Sequence, residues 1–468
     1  MTGPIGPVKP LNGHDLTKLP FSPIVENLPP VGSEWSAGPT VRRTIATVYV
    51  ASFATTGINQ LFTVLLFFLL PAASVGLVNW GMATGAIVFY VLDLGVATAL
   101  VVTAKQEPVR LSTMAGVVSA FRLVTALMVG AAWLVGSIFH LLGASESAVL
   151  ALVLLAFMVR QFQTPFICWL QVLDRQGAVA VLGLVPMVGR LVLLGALWLF
   201  GLVTIQSVLL ASLAGDALGL LVMGAMAGRY NGPSGPGIQP WRLAVKLLRA
   251  SPMLTISQAI LTMQSRFDWL LVAALASYSS LANYAIANKA TELLVLSGAI
   301  LGRNALPWLV EGWSHPGVGR TVRWLGVAIN FASLALALLG WPLLYLVFKD
   351  KYAGAAPVIP VLAALTPALT LYQVLQFALL AKQRTRDVVM ASGLALGAQV
   401  GIDLVAIPTM GILGAALGMC AFTAVVFPIA LWFALKKGLL TRRTAAELGI
   451  AAGGLPLLLL VSLGIGRL

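Results

Sequence analysis

Apolar residues run along this chain in stretches of about twenty, the length a helix needs to cross a bilayer, separated by short polar breaks. Hydropathy places these stretches at 44–69, 79–103, 115–141, 147–171, 178–200, 205–228, 251–276, 281–309, 323–347, 355–380, 387–407, 410–435 and 447–465. A transmembrane barrel would need segments of about ten residues that alternate apolar with polar, which is not the pattern here. The expected fold is therefore an all-α polytopic membrane protein with about thirteen spans, or twelve plus a C-terminal extra.

Two regions break the pattern. Residues 1–40 carry eight of the 25 prolines and five glycines and have no long apolar run, so a disordered cytoplasmic tail is expected. It is not a signal peptide, because no apolar core follows a basic start. Residues 229–250 are basic and polar and read as a cytoplasmic linker between two sets of six spans, 41–228 and 251–437, with 438–468 adding a last transmembrane helix.

The composition fits: 59% of residues are hydrophobic and only 9% are charged, where a soluble domain would carry about 25%. The net charge of +14 does not point to nucleic acid, because an excess of Lys and Arg in cytoplasmic loops already explains it. With the N-terminus inside, the inner loops collect Lys105, Arg110, Arg175, Arg229, Lys382, Arg384, Lys436 and Arg442 among others, while the outer side holds only Lys349, Lys351 and Arg467. The outer connections, such as Pro71–Val78, Ala276–Ser280, Lys349–Gly354 and Pro408–Met410, are too short to hold an active-site domain. That makes a polymerase or ligase the weakest functional reading. Cys168 and Cys420 lie in apolar runs and suggest neither a disulfide framework nor a metal site. No phosphate-binding glycine loop or metal-ligand cluster occurs, so no cofactor, metal or ATP hydrolysis is expected.

The charges within spans carry the functional signal, since each costs about 2.5–3.5 kcal/mol to insert and persists mainly beside a polar cavity or a partner. The hairpin at 251–310 holds Arg266, Asp268, Lys289, Glu292 and Arg303. Lys289 and Glu292 are three apart and share a helix face, and Arg303, eleven positions after Glu292, returns to nearly that face. This stripe reads either as cavity lining or as a buried ion pair. Arg266 and Asp268, two apart, point in different directions. Arg160 and Arg190 sit mid-span with no acid three or four positions away, which favours a cavity-facing role. Arg122 and Arg303, nearer span ends, fit snorkelling to the interface equally well. Asp93 and Asp216 are each either an ion-coupling site or the partner of an arginine on another helix, and the structural role is favoured. Asn59 and Gln60 line a cavity or cap a helix break.

A weak internal repeat aligns VGLVNWGMATG at 75–85 with LANYAIANKAT at 281–291, and LFGLVTIQSVLLASLAG at 199–215 with PTMGILGAALGMCAFTA at 408–424. Two such halves with a site between them are a common transporter plan. PAASVGLVNW followed by Asp93-Leu94-Gly95, then Arg266-Phe267-Asp268 with Asn283-Tyr284-Ala285 and Lys289, FKDKYAGAAPVIPVLA at 348–363, and Ile407-Pro408-Thr409-Met410-Gly411 together resemble Wzx-type polysaccharide flippases of the MOP superfamily. That superfamily also includes MATE exporters and lipid II flippases. The resemblance covers about 41–437 and implies two pseudo-symmetric six-helix bundles around a central cavity. It further implies a flippase of the bacterial inner membrane that moves polyprenyl-diphosphate-linked oligosaccharide for exopolysaccharide, capsule or O-antigen export, with a polysaccharide polymerase and export machinery as partners beside the bilayer. On that reading Arg160, Arg190, Arg266, Lys289, Arg303, Asn59 and Gln60 bind substrate, and Asp93, Asp216, Asp268 and Glu292 couple ions or pair structurally. A MATE-like cation antiporter is the alternative.

Overall fold

A backbone in lipid must satisfy its own polar groups, so apolar stretches of this length fold as helices. The computed structural model describes residues 57–92, 109–173, 175–229, 239–250, 252–304, 316–382 and 384–465, with a few isolated positions between 54 and 104. The N-terminal tail and Asp93 lie outside the described residues. So does the side chain of Arg303, although its helix is described.

The chain is a succession of helices: α1 (Gly57–Leu69), α2 (Ala72–Leu92), α3 (Leu111–Ile138), α4 (Ala144–Gln161), α5 (Thr164–Val172), α6 (Gln176–Leu182), α7 (Leu184–Leu199) and α8 (Ile205–Ala227). After the linker come α9 (Pro240–Ala250), α10 (Pro252–Leu275), α11 (Tyr278–Asn304), α12 (Pro316–Phe348), a 3₁₀ segment (Lys349–Ala355), α13 (Val358–Ala381), α14 (Thr385–Met410), α15 (Ile412–Lys436) and α16 (Arg442–Ile465). Among the described residues nine helical segments are long and apolar enough to cross a membrane. The fold is all-α and polytopic, as the hydropathy indicates.

The ends differ from expectation in instructive places. The loop expected at Pro71–Val78 is helical from Ala72, because Val75, Gly76, Leu77 and Val78 are buried and belong to a packed helix start. Proline, with fixed φ and no N–H, is suited to the position just before it. Pro408–Met410 is likewise the last turn of α14, and the turn shrinks to Gly411 at φ 60°. Gly201 makes the matching turn between α7 and α8 at φ 67°. These two positive-φ glycines fall within one position of each other in the sequence repeat, and at each a residue with a Cβ would be strained.

Packing divides the helices into two groups. In the first, α2 packs on α4, α4 on α8 and α7 on α8. In the second, α10 packs on α14, α11 and α12 on α13, and α14 and α13 on α15, with α16 lying against α12 and α13. The groups meet where α2 packs on α10 and α11. Gly76 makes that contact possible, since a Cβ there would collide with the carbonyl of Tyr278.

Candidate functional site: a cationic cavity between two helix groups

A cavity of about 410 Å³ lies at this junction, lined from α1, α2, α4, α7, α10 and α11. Its lining includes Asn59, Asn79, Thr262 and Ser265, aromatic Phe62, Tyr90, Phe157 and Trp269, and four charged residues: Arg160, Arg190, Arg266 and Lys289. All four are bases. Five of the seven residues predicted to bind substrate are thus brought to one cavity. Gln60 sits behind it, hydrogen-bonded to Glu292.

The cations are held in two triads, each with two bases on one acid. In the first, Arg160 lies 3.3 Å from Asp216 Oδ2, and Arg190 pairs with Asp216 Oδ1. The Arg190 and Asp216 side chains are 3% and 1% exposed, whereas Arg160 is 38% exposed and reaches into the cavity. Local sequence builds this arrangement. The span of α4 and α5 is interrupted at Phe162–Gln163, and the Gln163 amide donates to the Asp216 carbonyl at 2.8 Å. Gly215 clears the way for α7, because a Cβ there would lie 2.6 Å from Arg190 Cγ and 2.8 Å from the Pro186 carbonyl oxygen. Phe157, one turn before Arg160, places its ring 5.2 Å from the guanidinium.

In the second triad, Lys289 hydrogen-bonds Glu292 one turn along α11, and Arg266 from α10 lies 3.9 Å from the same carboxylate. Trp269 underlies both cations, with its ring 4.6 Å from Arg266 and 6.0 Å from Lys289. Two bases against one acid leave each triad with one net positive charge, and the acids stand outside the lining. A planar guanidinium in such a setting matches phosphate or carboxylate oxygens bidentately.

Asp268 turns away from the cavity. Its carboxylate accepts from the Tyr284 hydroxyl at 2.5 Å, with both residues fully buried. Asp403 of α14 neighbours it. Among the described residues neither Asp403 oxygen has a hydrogen-bond partner, nor does the side chain of Gln399 one turn earlier. In the sequence Asp403 is an acid within the apolar run 387–407, and nothing in its own helix ties it to Asp268.

Hydrogen bonds also join the two groups. The Tyr278 hydroxyl donates to Glu146 Oε1 at 2.5 Å, while Glu146 Oε2 caps α4 by accepting from the Gly143 N–H at 2.9 Å. Nearby, Lys351 donates to the Phe67 and Phe68 carbonyls at 2.8 and 3.1 Å, and Tyr352 to Phe67 at 2.8 Å. Those carbonyls are at the end of α1, where a helix has no partners of its own to offer.

No family model matches the chain, and no curated protein sequence matches it. Solved structures do. A lipid II flippase MurJ in an inward closed conformation superposes with a TM-score of 0.68 at 12% identity, covering 90% of this chain and 93% of that one. An inward-facing multidrug resistance MATE family transporter of the MOP superfamily gives 0.62 at 12% identity, covering 86% and 98%. The MATE transporter ClbM in complex with Rb⁺ gives 0.54 at 16%, covering 87% and 96%. At these identities the likeness is one of fold: the chain has the all-α polytopic fold shared by that lipid II flippase and those MATE transporters.

Proposed function

We propose that this protein is a transporter, not an enzyme, and that it flips a polyprenyl-diphosphate-linked oligosaccharide across the bacterial inner membrane by alternating access. The observation that carries this reading is that, among the described residues, every charged residue lining the cavity is a base, supplied by both helix groups and fixed from behind by one acid on each side. An anionic head bridging the groups would satisfy both triads, and the sugars would meet the amides and hydroxyls of Asn59, Asn79, Thr262 and Ser265. The lipid tail would stay in the bilayer. The cross-group contacts of Tyr278, Lys351 and Tyr352 would form the closed gate at one end. With the basic loops placed inside, the N-terminus is cytoplasmic, that gate faces outward, and the six-helix halves 41–228 and 251–437 are the moving bodies.

The same reading makes Arg160, Arg266 and Lys289 the contacts to the anion, with Arg190 holding Asp216 behind Arg160, Asn59 beside them and Gln60 holding Glu292. Asp216 and Glu292 act as their counter-charges. Asp268 and Asp403 would couple flipping to a proton or monovalent cation, an idea supported by the Rb⁺ complex of one MATE transporter of this fold. Export machinery and a polymerase would take the product.

The test is reconstitution in vesicles with a fluorescent lipid-linked oligosaccharide, whose arrival in the far leaflet is read by chemical quenching. Arg160→Gln, Arg266→Gln and Lys289→Gln should each slow it. Unchanged flipping in all three would overturn the assignment, and energised export of a cationic dye would favour the MATE-like reading. The four-base lining argues against the latter, since a cationic cargo would meet like charge on both walls.

A further inference from the structure

The linker between the two helix groups contains an element with no place in the cavity. Helix α9, Pro-Trp-Arg-Leu-Ala-Val-Lys-Leu-Leu-Arg-Ala, is strongly amphipathic and has no acidic residue. At 100° per residue it presents three faces. Leu243 and Leu247 are fully buried, and they join a cluster with Val96, Leu100, Met114 and Val118. Arg242 and Lys246, one turn apart, form a basic stripe that is exposed. Between these faces Trp241, Val245 and Leu248 form an apolar stripe, also exposed, with Trp241 at 61% and Leu248 at 47%. The Trp241 ring is held by its N–H, which donates to Gln239 at 2.8 Å, and Arg242 stacks 5.4 Å from the ring.

A helix docked by one face needs no second apolar face unless something covers it. The position of α9 narrows what that is. It packs on α3, and one residue separates it from α10, the helix that carries Arg266 and Trp269. Both neighbours are spans by length or sequence, so α9 lies at the level where spans leave the bilayer. A Trp–Val–Leu stripe beside Arg and Lys on a helix of low net hydrophobicity is the composition of a helix lying in the lipid headgroup region. We infer that α9 docks on anionic phospholipid, with Trp241, Val245 and Leu248 inserted at the headgroup–acyl boundary and Arg242 and Lys246 against the headgroup charges. Since α9 rests on the first helix group and leads straight into the second, that lipid contact ties both groups to one leaflet. The inference is independent of what the cavity carries.

The experiment uses the full chain in neutral detergent, with Val245→Cys carrying an environment-sensitive dye in a Cys420→Ala background, Cys168 being buried. Titration with short-chain phosphatidylglycerol should shift the dye emission to the blue at concentrations where phosphatidylcholine does little. Each basic residue near an anionic surface is worth about fivefold in binding, so Arg242→Gln/Lys246→Gln should raise half-saturation about 25-fold. Trp241→Ala should weaken the response without altering the preference for the anionic lipid. Equal response to both lipids, an unchanged half-saturation in the double variant, or a blue shift with a soluble acidic peptide but not with lipid would each overturn the assignment. Circular dichroism of the variants, expected to match the parent, checks that the loss is not one of folding.

Discussion

The two arginines on Asp216 should separate cleanly into one that holds the fold and one that holds cargo. Arg190 and Asp216 are almost wholly withdrawn from solvent, while Arg160 is 38% exposed at 3.3 Å from the same carboxylate. Asp216→Asn leaves the Arg190 guanidinium buried with its counter-charge removed, a change that costs about 3–5 kcal/mol. Arg160→Gln removes only a half-exposed pair, worth about 0–1 kcal/mol to stability. Binding should show the reverse. A charge-assisted contact from Arg160 to an anionic head is worth about 1.5–3 kcal/mol, so Arg160→Gln should weaken affinity roughly tenfold to a hundredfold. Thermal unfolding in detergent, followed by intrinsic fluorescence, reads the first quantity, and calorimetric titration with a short-chain prenyl diphosphate reads the second. The double variant Asp216→Leu/Arg190→Leu should recover much of the stability lost in Asp216→Asn, because an apolar pair of similar volume replaces the orphaned charge. If Arg160→Gln destabilises as much as Asp216→Asn, or leaves prenyl diphosphate binding unchanged, the division of roles is wrong.

Three further outcomes are expected. Tyr278→Phe removes the hydrogen bond to Glu146 but leaves the cap on α4, and at about 1.5 kcal/mol it should move the conformational equilibrium roughly tenfold toward opening of that end; spin labels at the starts of α4 and α11 would show this as a longer distance, and an unaltered distribution would rule out a latch. Gly76→Val drives a side chain into the Tyr278 carbonyl and should cost about 1–3 kcal/mol, seen as a lowered melting temperature. Asp403→Asn should abolish the dependence of flipping on a sodium or proton gradient while leaving prenyl diphosphate binding intact, and retention of that dependence would reduce the Asp268–Asp403 pair to a structural role.

Much of the fold was legible because the bilayer imposes a length on each apolar run. Helices α3 to α8 and α12 to α15 fall where hydropathy places them, with ends displaced by a few residues. At Ala72–Val78 the helix starts ahead of the expected span where protein covers it, because hydropathy takes no account of packing. The Lys289–Glu292 pair was readable from its spacing. The partners of Arg160, Arg190 and Arg266 were not. Each lies on a different helix, 56, 26 and 26 positions away, and helical periodicity carries no information at that range. Helix α9 reads as a basic linker because a span-length window averages its eleven residues to near neutrality, although its periodicity is strong when read alone.

The two triads are not equivalent, and the difference bears on how one site could hold and then release an anion. The Asp216 triad is built from two guanidiniums on a buried carboxylate, further fixed by Gln163 on the Asp216 backbone. Moving its arginines would strand a charge in a nearly solvent-free place. The Glu292 triad is looser: its carboxylate is one-third exposed, Arg266 stands 3.9 Å away, and Lys289 is a compact charge on a flexible stem. The Trp269 ring beneath Arg266 and Lys289 gives these cations an alternative stabilisation when they leave the carboxylate. An anion bridging the cavity would therefore meet a rigid wall on one side and an adaptable wall on the other. Separation of the helix groups would break the contacts to the adaptable wall first, because rearrangement there leaves no buried charge unpaired. The bound head would then stay with the Asp216 wall as the opposite end of the cavity opens, and water entering from that end would compete for Arg160, the one member of that triad open to solvent.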